Sequence, residues 1–212
     1  MSFELELIRG WIDAELAAEF PDLALYQVGV EARSGRSPAV VKHRLREMSN
    51  RFTGPKAVQV RQQAVPWAYR VFFRQIGIDP DDRRTPVEAA ALERMRAGAF
   101  QSTNLLDDAL LIATVETGVP VLAFDRDRVQ GELGLRLALP GEQAGHSLRG
   151  GEIVAADETR PLAVLFGLCD PDCGVTRATE RMLLAAVQVK GVPDVSVEEA
   201  LWTVTETLGA GA

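Results

Sequence analysis

The stretch Asn104–Glu142 constrains the fold more than any other part of this 212-residue chain. It reads NLLDDALLIATVETGVPVLAFDRDRVQGELGLRLALPGE. Apolar residues at helical spacing predict a helix up to Thr117, which Gly118 and Pro120 then end. A short apolar run, Val121–Phe124, predicts a buried strand, and strict alternation over Glu132–Ala138 predicts a second one. The stretch therefore contains a helix, a tight break and two strands.

Similar signals divide the rest of the chain into helices followed mainly by strands. Thr85-Pro86-Val87-Glu88 is a capping box, and Ser37 and Ser196 are predicted to cap two other helices. Helices are predicted at Ser37–Phe52, at Val58–Ile76 with a break at Pro66, at Thr85–Arg96 and at Ser196–Leu208, and strands at Leu23–Arg33, Ile153–Ala156 and Leu162–Phe166. Arg177–Lys190 fits a helix followed by a strand, and residues 1–20, where Phe3, Leu5 and Leu7 alternate, fit either a strand or a helix. This order predicts an α+β fold with a mixed sheet in the second half, as a single domain over residues 1–212.

Composition limits where the chain works and what it binds. Its two cysteines, Cys169 and Cys173, do not make a disulfide framework, and His43 and His146 lie far from them in sequence. The N-terminus lacks the basic and apolar regions of a secretory signal, and no run of about 20 apolar residues is present. We predict a cytoplasmic protein without a membrane span, a metal or another cofactor, whose cysteines are ordinary thiols.

Positive charge is concentrated in one segment although the net charge is −7. Between Arg33 and Arg74 there are ten Lys or Arg and a single acid, Glu47. Such an excess is typical of a surface that binds a phosphate backbone, although arginines on solvated helix faces are also common. Aromatic residues in the segment, Phe52, Trp67 and Tyr69, could stack on bases. The predicted RNA-binding residues are Arg33, Arg36, Lys42, Arg44, Arg46, Arg51, Lys56 and Arg61.

Four stretches together resemble a known family. WAYRVFFRQIGIDPDDRRTPVEAA, TNLLD, TGVPVLAFDRDRVQGELGLRLALPGE and LAVLFG…GVTRAT are similar, in this order, to the B3/B4 domain of the phenylalanyl-tRNA synthetase β subunit and to its free-standing relatives. The resemblance covers about Arg33–Lys190. It implies a B3/B4-type fold and an editing role, since in the synthetase this domain hydrolyses mischarged tyrosyl-tRNA. It does not imply aminoacylation.

The resemblance also implies a substrate pocket, at which this chain departs from the family. The family's His before Ala-Phe-Asp is Leu122, and its Thr-Asn pair falls on Ala109 and Leu110 or on Leu110 and Leu111. Only one of three family glycines remains, as Gly167. The implied lining is Leu110, Leu111, Pro120, Leu122 and Gly167. Apolar replacements predict either a more apolar substrate or the loss of hydrolysis.

Three polar residues are the candidates for a catalytic role: Asp107, Thr114 and Asp125. Asp107 is in the family's Asp position, whereas its neighbour Asp108 is expected to stabilise the helix dipole. Asp125 either lines a cleft or forms a turn, and Thr114 either faces the pocket or bonds to its own helix. The sequence has no phosphate loop and no nucleophile elbow, so hydrolysis would use a positioned water.

Two hypotheses follow for the function. The first is a protein that binds tRNA or aminoacyl-tRNA and hydrolyses a mischarged ester in trans. The second is a non-catalytic module that binds RNA, a small amino-acid-like ligand or a protein partner. The basic segment favours RNA, and the leucines in the implied pocket disfavour catalysis.

Overall fold

The computed structural model describes residues 6–211, which form two four-stranded sheets and seven α-helices. The strands are β1 (Ile8–Arg9), β2 (Trp11–Ile12), β3 (Ala24–Glu31), β4 (Val121–Asp125), β5 (Gly134–Leu137), β6 (Ile153–Ala156), β7 (Pro161–Val164) and β8 (Arg181–Gln188). The helices are α1 (Ala14–Glu19), α2 (Ala39–Arg51), α3 (Gly54–Gln59), α4 (Ala64–Gln75), α5 (Pro86–Ala97), α6 (Leu105–Thr117) and α7 (Asp194–Gly209).

The first sheet has the strand order β1-β3-β8-β4, and its neighbouring strands are all antiparallel. Its longest pairing joins β3 to β8, with Ala24 opposite Gln188 and Glu31 opposite Arg181. Strand β8 is buried without interruption from Met182 to Val187. A run of this kind is typical of a strand whose two faces are both covered.

The second sheet has the strand order β2-β5-β6-β7, and its β2–β5 pair is parallel. The chain passes from the first sheet to the second at a single residue, Gly10, which lies between β1 and β2. A Cβ at Gly10 would collide with the carbonyl oxygen of Leu133, so only glycine fits. This residue therefore fixes how the edges of the two sheets meet.

One main apolar core joins the helices to both sheets. It includes Ile112 of α6, Leu201 of α7, Leu184 of β8, Leu135 of β5 and Leu162 of β7, each of them fully buried. Helices α6 and α7 pack against each other, and α7 also packs on β8 and β3. The core thus holds α6 against α7, which in turn packs on the first sheet.

The structure confirms the predicted α+β class and several of its boundaries. Thr85 and Glu88 form the capping box at the start of α5, with Pro86 at the first helical position. Helix α6 ends at Gly118, whose φ of 78° is in the left-handed region that glycine adopts without strain. Strand β4 follows where the apolar run predicted it.

Two predicted helix caps are wrong. Ser37 does not cap α2, because its hydroxyl donates a hydrogen bond to Asp108 instead. Ser196 lies inside α7, which begins two residues earlier after Pro193. A tertiary contact occupies the Ser37 hydroxyl, and α7 starts directly after Pro193 rather than at Ser196.

Other boundaries differ from the predictions as well. The segment Arg177–Lys190 contains no helix, because its apolar residues are used in β8. Helix α4 begins two residues before Pro66, which lies in its first turn, where a missing N–H costs nothing. Residues 8–19 contain both strand and helix, whereas Phe3 and Leu5 lie outside the described residues.

Among residues 6–211, no helix is long and apolar enough to cross a membrane.

Candidate functional site

The N-terminus of α6 is organised by Asp108, which is almost completely buried. Its carboxylate accepts hydrogen bonds from the Ser37 hydroxyl at 2.5 Å, the Ser102 hydroxyl at 2.6 Å and the Thr103 amide at 2.9 Å. A buried carboxylate is stable only when hydrogen-bond donors or an opposite charge compensate it. Asp108 therefore holds the segments before α2 and before α6 together, a larger structural role than the predicted effect on the helix dipole.

The neighbouring carboxylate, Asp107, is exposed. It exchanges two hydrogen bonds with Asn104, the residue that caps α6: the Asn104 amide donates to Asp107 at 2.7 Å, and the Asp107 backbone N–H donates to Asn104 at 2.9 Å. Asp107 lies one helical turn before Leu111, so both side chains project from the same side of α6. It is the accessible member of the acidic pair.

Asp125 ends β4 and makes the turn that follows. One carboxylate oxygen accepts from the Asp127 backbone N–H at 3.1 Å, and the other accepts from the Thr179 hydroxyl at 2.7 Å. Both oxygens are therefore engaged in holding local structure, in agreement with the turn-forming alternative considered for this residue.

Thr114 is 8% exposed on α6. Within residues 6–211 its hydroxyl makes no hydrogen bond. Of the two alternatives considered for Thr114, the bond back to its own helix is therefore not made. That bond is made instead by Thr117, whose hydroxyl donates to the Ala113 carbonyl at 2.8 Å.

Of the five residues of the implied pocket, Leu111 alone lines one of the clefts described here for residues 6–211. Leu110, Leu111 and Leu122 are half-buried and pack against the main core, and Leu122 lies opposite Ala185 in the first sheet. Pro120 is half-buried in the segment between α6 and β4. Gly167 is exposed in the turn after β7, where an added Cβ would lie 2.9 Å from the Arg83 side chain. The positions matched to the family's pocket thus place apolar side chains against the core.

One of them, Leu111, lines a cleft of about 720 Å³ beside α5, here called the α5 cleft. Its apolar lining includes Leu92 and Phe100, and its charged residues are Arg84, Glu93, Arg94 and Arg96. Arg94 donates to the Ser49 carbonyl at 2.8 Å, which joins α5 to α2. Its Nε–H is buried and has no partner among the described residues.

A second cleft of about 250 Å³ adjoins the first, and the two share Arg84 and Leu92. It adds Arg61 and Met95 to the lining. The contribution of α5 to this region was missed at the sequence level, where only Arg33–Arg74 was considered. The alternation of Arg94 and Arg96 near the end of α5 was the available signal.

Three arginines of the basic segment have carboxylate partners. Arg33 pairs with Glu180, and Arg44 pairs with Glu116 at 2.6 Å and with Glu206 at 3.6 Å. The hydrogen bond to Glu116 raises the pKa of Arg44 against the opposing effect of burial. Arg70 is 4% exposed and binds both Asp81 at 2.7 Å and Glu88 at 2.6 Å. Arg70 is thus paired inside the fold, whereas the pair of Arg33 with Glu180 is at the surface.

The other cations form a different group. Within residues 6–211 no carboxylate lies within ion-pair distance of the seven remaining cations of the segment, or of Arg84 and Arg96 beside the clefts. We call these the unpaired cations: Arg36, Lys42, Arg46, Arg51, Lys56, Arg61, Arg74, Arg84 and Arg96. Lys42 and Arg46 are one turn apart on the same side of α2. Helix α3 contacts α5, so the group extends over neighbouring helices.

A model of the B3/4 domain family matches residues 68–197, more than half of the chain. Among similar proteins, the phenylalanine–tRNA ligase β subunit of Xanthomonas oryzae pv. oryzae (strain MAFF 311018) is 33% identical over 114 residues, and that of Xanthomonas euvesicatoria pv. vesicatoria (strain 85-10) is 35% identical over 116 residues. The subunit of Legionella pneumophila (strain Lens) is 29% identical over 110 residues. These alignments cover 51%, 51% and 49% of this chain but only 14% of each relative.

Proposed function

Because the chain belongs to the B3/4 domain family, we propose that it binds an aminoacyl-tRNA and hydrolyses the ester of a wrongly attached amino acid in trans. The similar proteins are named as β subunits of a phenylalanine–tRNA ligase, so their names specify a tRNA and an amino acid. The chain spans only 14% of their length, and the proposal therefore concerns the activity of this domain alone.

The contrast within the basic segment is the observation that supports tRNA binding. Arg70 is neutralised by two carboxylates, whereas Lys42, Arg46 and Arg61 leave their charge to solvent in a protein of net charge −7. Cations without carboxylate partners favour the binding of a phosphate backbone, because each cation that neutralises a phosphate releases condensed counterions.

The α5 cleft is the proposed place for the aminoacyl end. Its apolar lining at Leu92, Phe100 and Leu111 suits an apolar amino-acid side chain, and Arg84 and Arg96 suit the adjacent phosphates. Asp107, on the α6 side that presents Leu111, is the proposed group that orients the attacking water.

Filter binding of tRNA at several salt concentrations tests the first half of the proposal. We expect affinity to fall linearly on a log–log plot against salt. Replacing Arg46 and Arg61 by Ala should lower the slope by about 0.7 to 0.9 for each phosphate that the variant no longer neutralises. Arg149→Ala, at an exposed arginine outside the segment, is the control. Binding without a salt dependence, or equal slopes for all variants, would remove the RNA interpretation.

Deacylation of tRNAs mischarged with different apolar amino acids tests the second half. Asp107→Asn keeps an oxygen for the Asn104 hydrogen bond but removes the charge, and we expect hydrolysis to slow about 100-fold. Glu132→Gln changes another exposed carboxylate and should hydrolyse at the wild-type rate.

A non-catalytic RNA-binding module is the second candidate. The packing of Leu110 and Leu122 against the core favours it, since the family positions that they occupy offer no polar group to a substrate. Salt-dependent tRNA binding together with no deacylation of any mischarged tRNA would select this candidate over the first.

A further inference from the structure

The only two cysteines of the chain meet in the loop between β7 and β8. The sulfur atoms of Cys169 and Cys173 are 3.7 Å apart, and both thiols are free. Cys173 is completely buried, whereas Cys169 is half-buried. The spacing of four residues did not indicate this proximity, because the loop could have taken many shapes.

Several contacts hold the two thiols in this position. The Asp170 amide donates to the Leu162 carbonyl at 2.7 Å, and the Cys173 amide donates to the Asp170 carbonyl at 3.1 Å. The Cys173 carbonyl accepts from the Asp125 amide at 2.8 Å, which ties the loop to β4. An ion pair of 2.7 Å between Arg160 and Asp170 closes the loop from the other side. These contacts hold the backbone around the pair, and the sulfurs would have to approach from 3.7 Å to the length of a disulfide bond, about 2.05 Å.

The environments of the two thiols differ. The contact between the two sulfurs lowers the pKa of Cys169 and, together with burial, raises that of Cys173. The accessible cysteine is thus also the one that ionises more readily. An accessible thiolate with a second thiol beside it is an arrangement in which a mixed disulfide can be resolved to an intramolecular disulfide.

We propose that Cys169 and Cys173 are a reversible redox pair that closes to an intramolecular disulfide. The Cys169 thiolate attacks a low-molecular-weight disulfide, forms a mixed disulfide and releases one thiolate. The Cys173 sulfur then attacks the Cys169 sulfur, and the second thiolate that is expelled takes up the Cys173 proton and leaves as a thiol. The protein has lost two electrons and two protons, and the external disulfide has become two thiols. This site does not depend on the proposed tRNA activity.

Incubating the folded full-length chain with defined mixtures of oxidised and reduced glutathione tests the proposal. After acid quenching and alkylation, intact mass is measured. We expect the wild type to lose two hydrogens and both alkylatable thiols, and dithiothreitol to restore them. Cys173→Ala should stop at a glutathione adduct on Cys169, and Cys169→Ala should remain unmodified because Cys173 is buried.

The measurement on the wild-type protein tests the proposed disulfide even if one of the variants does not fold. A stable glutathione adduct on the wild-type protein would overturn the proposal, because it would show that Cys173 does not resolve the mixed disulfide. Two thiols that remain alkylatable in the oxidising mixture, or a disulfide between two chains, would overturn it equally.

Discussion

The N-terminus of α6 and the surface of the helices α2, α3 and α5 use charge in opposite ways. At α6 the carboxylate of Asp108 is buried, and three donors satisfy it. On α2, Lys42 is half-buried and Arg46 is exposed, and neither has a carboxylate partner in the described part of the chain. The first arrangement contributes to the stability of the fold, and the second leaves charge available to a ligand.

The same contrast occurs inside the basic segment itself. Arg70 and Arg61 belong to one run of sequence, yet Arg70 is buried between two carboxylates and Arg61 is exposed beside a cleft. Counting charges along the sequence treats them as equal. Only the surroundings show that the first belongs to the fold and the second to the surface proposed for tRNA.

Arg70→Met should have the largest effect on stability. It leaves Glu88 buried without its partner, and breaking a buried pair in this way costs about 4 kcal/mol of unfolding free energy. Urea denaturation measures the loss. The double variant with Glu88→Gln should recover part of it. A decrease in the free energy of unfolding below about 1 kcal/mol would show that Arg70 contributes no more to stability than an exposed cation does.

Asp108→Ala should have the next largest effect. Two hydroxyls and one amide lose a charged acceptor, which should lower the unfolding free energy by about 3 kcal/mol. Asp107→Ala is the matched control and should cost less than about 1 kcal/mol, because Asp107 is exposed. Equal losses for the two variants would contradict the distinction between the two carboxylates.

Asp157→Asn should have a smaller, pH-dependent effect. Asp157 is buried and accepts hydrogen bonds from the Gln130 amide, from the amide and hydroxyl of Thr159, and from the Arg160 amide. Burial favours the neutral acid, but these bonds outweigh it and lower the pKa of Asp157 below its usual 3.8. In the variant, the side-chain amide nitrogen of residue 157 would face the backbone N–H of Gln130, so that two donors would meet. We expect this to lower the free energy of unfolding by about 1.5 kcal/mol.

The lowered pKa fixes the sign of the pH dependence. The stabilisation is complete above the unfolded-state pKa and is lost as the pH falls through the lower folded-state value. Denaturation at pH 7 should therefore separate the wild type from Asp157→Asn, and the difference should shrink below about pH 4. A difference that is constant from pH 7 to pH 3 would rule out this role for the charge.

The double variant Arg46→Ala with Arg61→Ala should have the smallest effect on stability, under about 0.5 kcal/mol. Both side chains are exposed. The same protein should nevertheless show the reduced salt slope in tRNA binding. A large loss of stability would mean that these cations serve the fold, and they would then no longer differ from Arg70.

The structural features that were predicted correctly depend on residues that are close together in the sequence. The capping box at Thr85 and the stop at Gly118 depend on neighbouring residues alone, and both were found where the sequence placed them. The cap at Ser37 was wrong because a carboxylate 71 residues away, Asp108, competes for its hydroxyl. The two separate sheets were not foreseen, because nothing near Gly10 reveals the backbone at Leu133 that it passes.

The candidate site was harder to predict than the fold. Matching the family's motif selected Leu110, Leu122 and Gly167, and the first two pack against the core while the third lies in an exposed turn. Arg84 and Arg96 were not selected, because a cleft is a property of several elements together. The spacing of charged residues along one helix does not show which residues of other elements form the opposite wall of a cleft.

The pairing of β3 with β8 has a consequence for how the chain folds. Residue 24 pairs with residue 188, so the longest ladder of the first sheet joins two distant parts of the sequence. Closing so long a loop is entropically unfavourable until the strands pair, and proteins with such pairings fold slowly. During synthesis β3 emerges early and its partner late. Helices α2 to α6 can form in the interval, but the first sheet is completed only after nearly the whole chain is made.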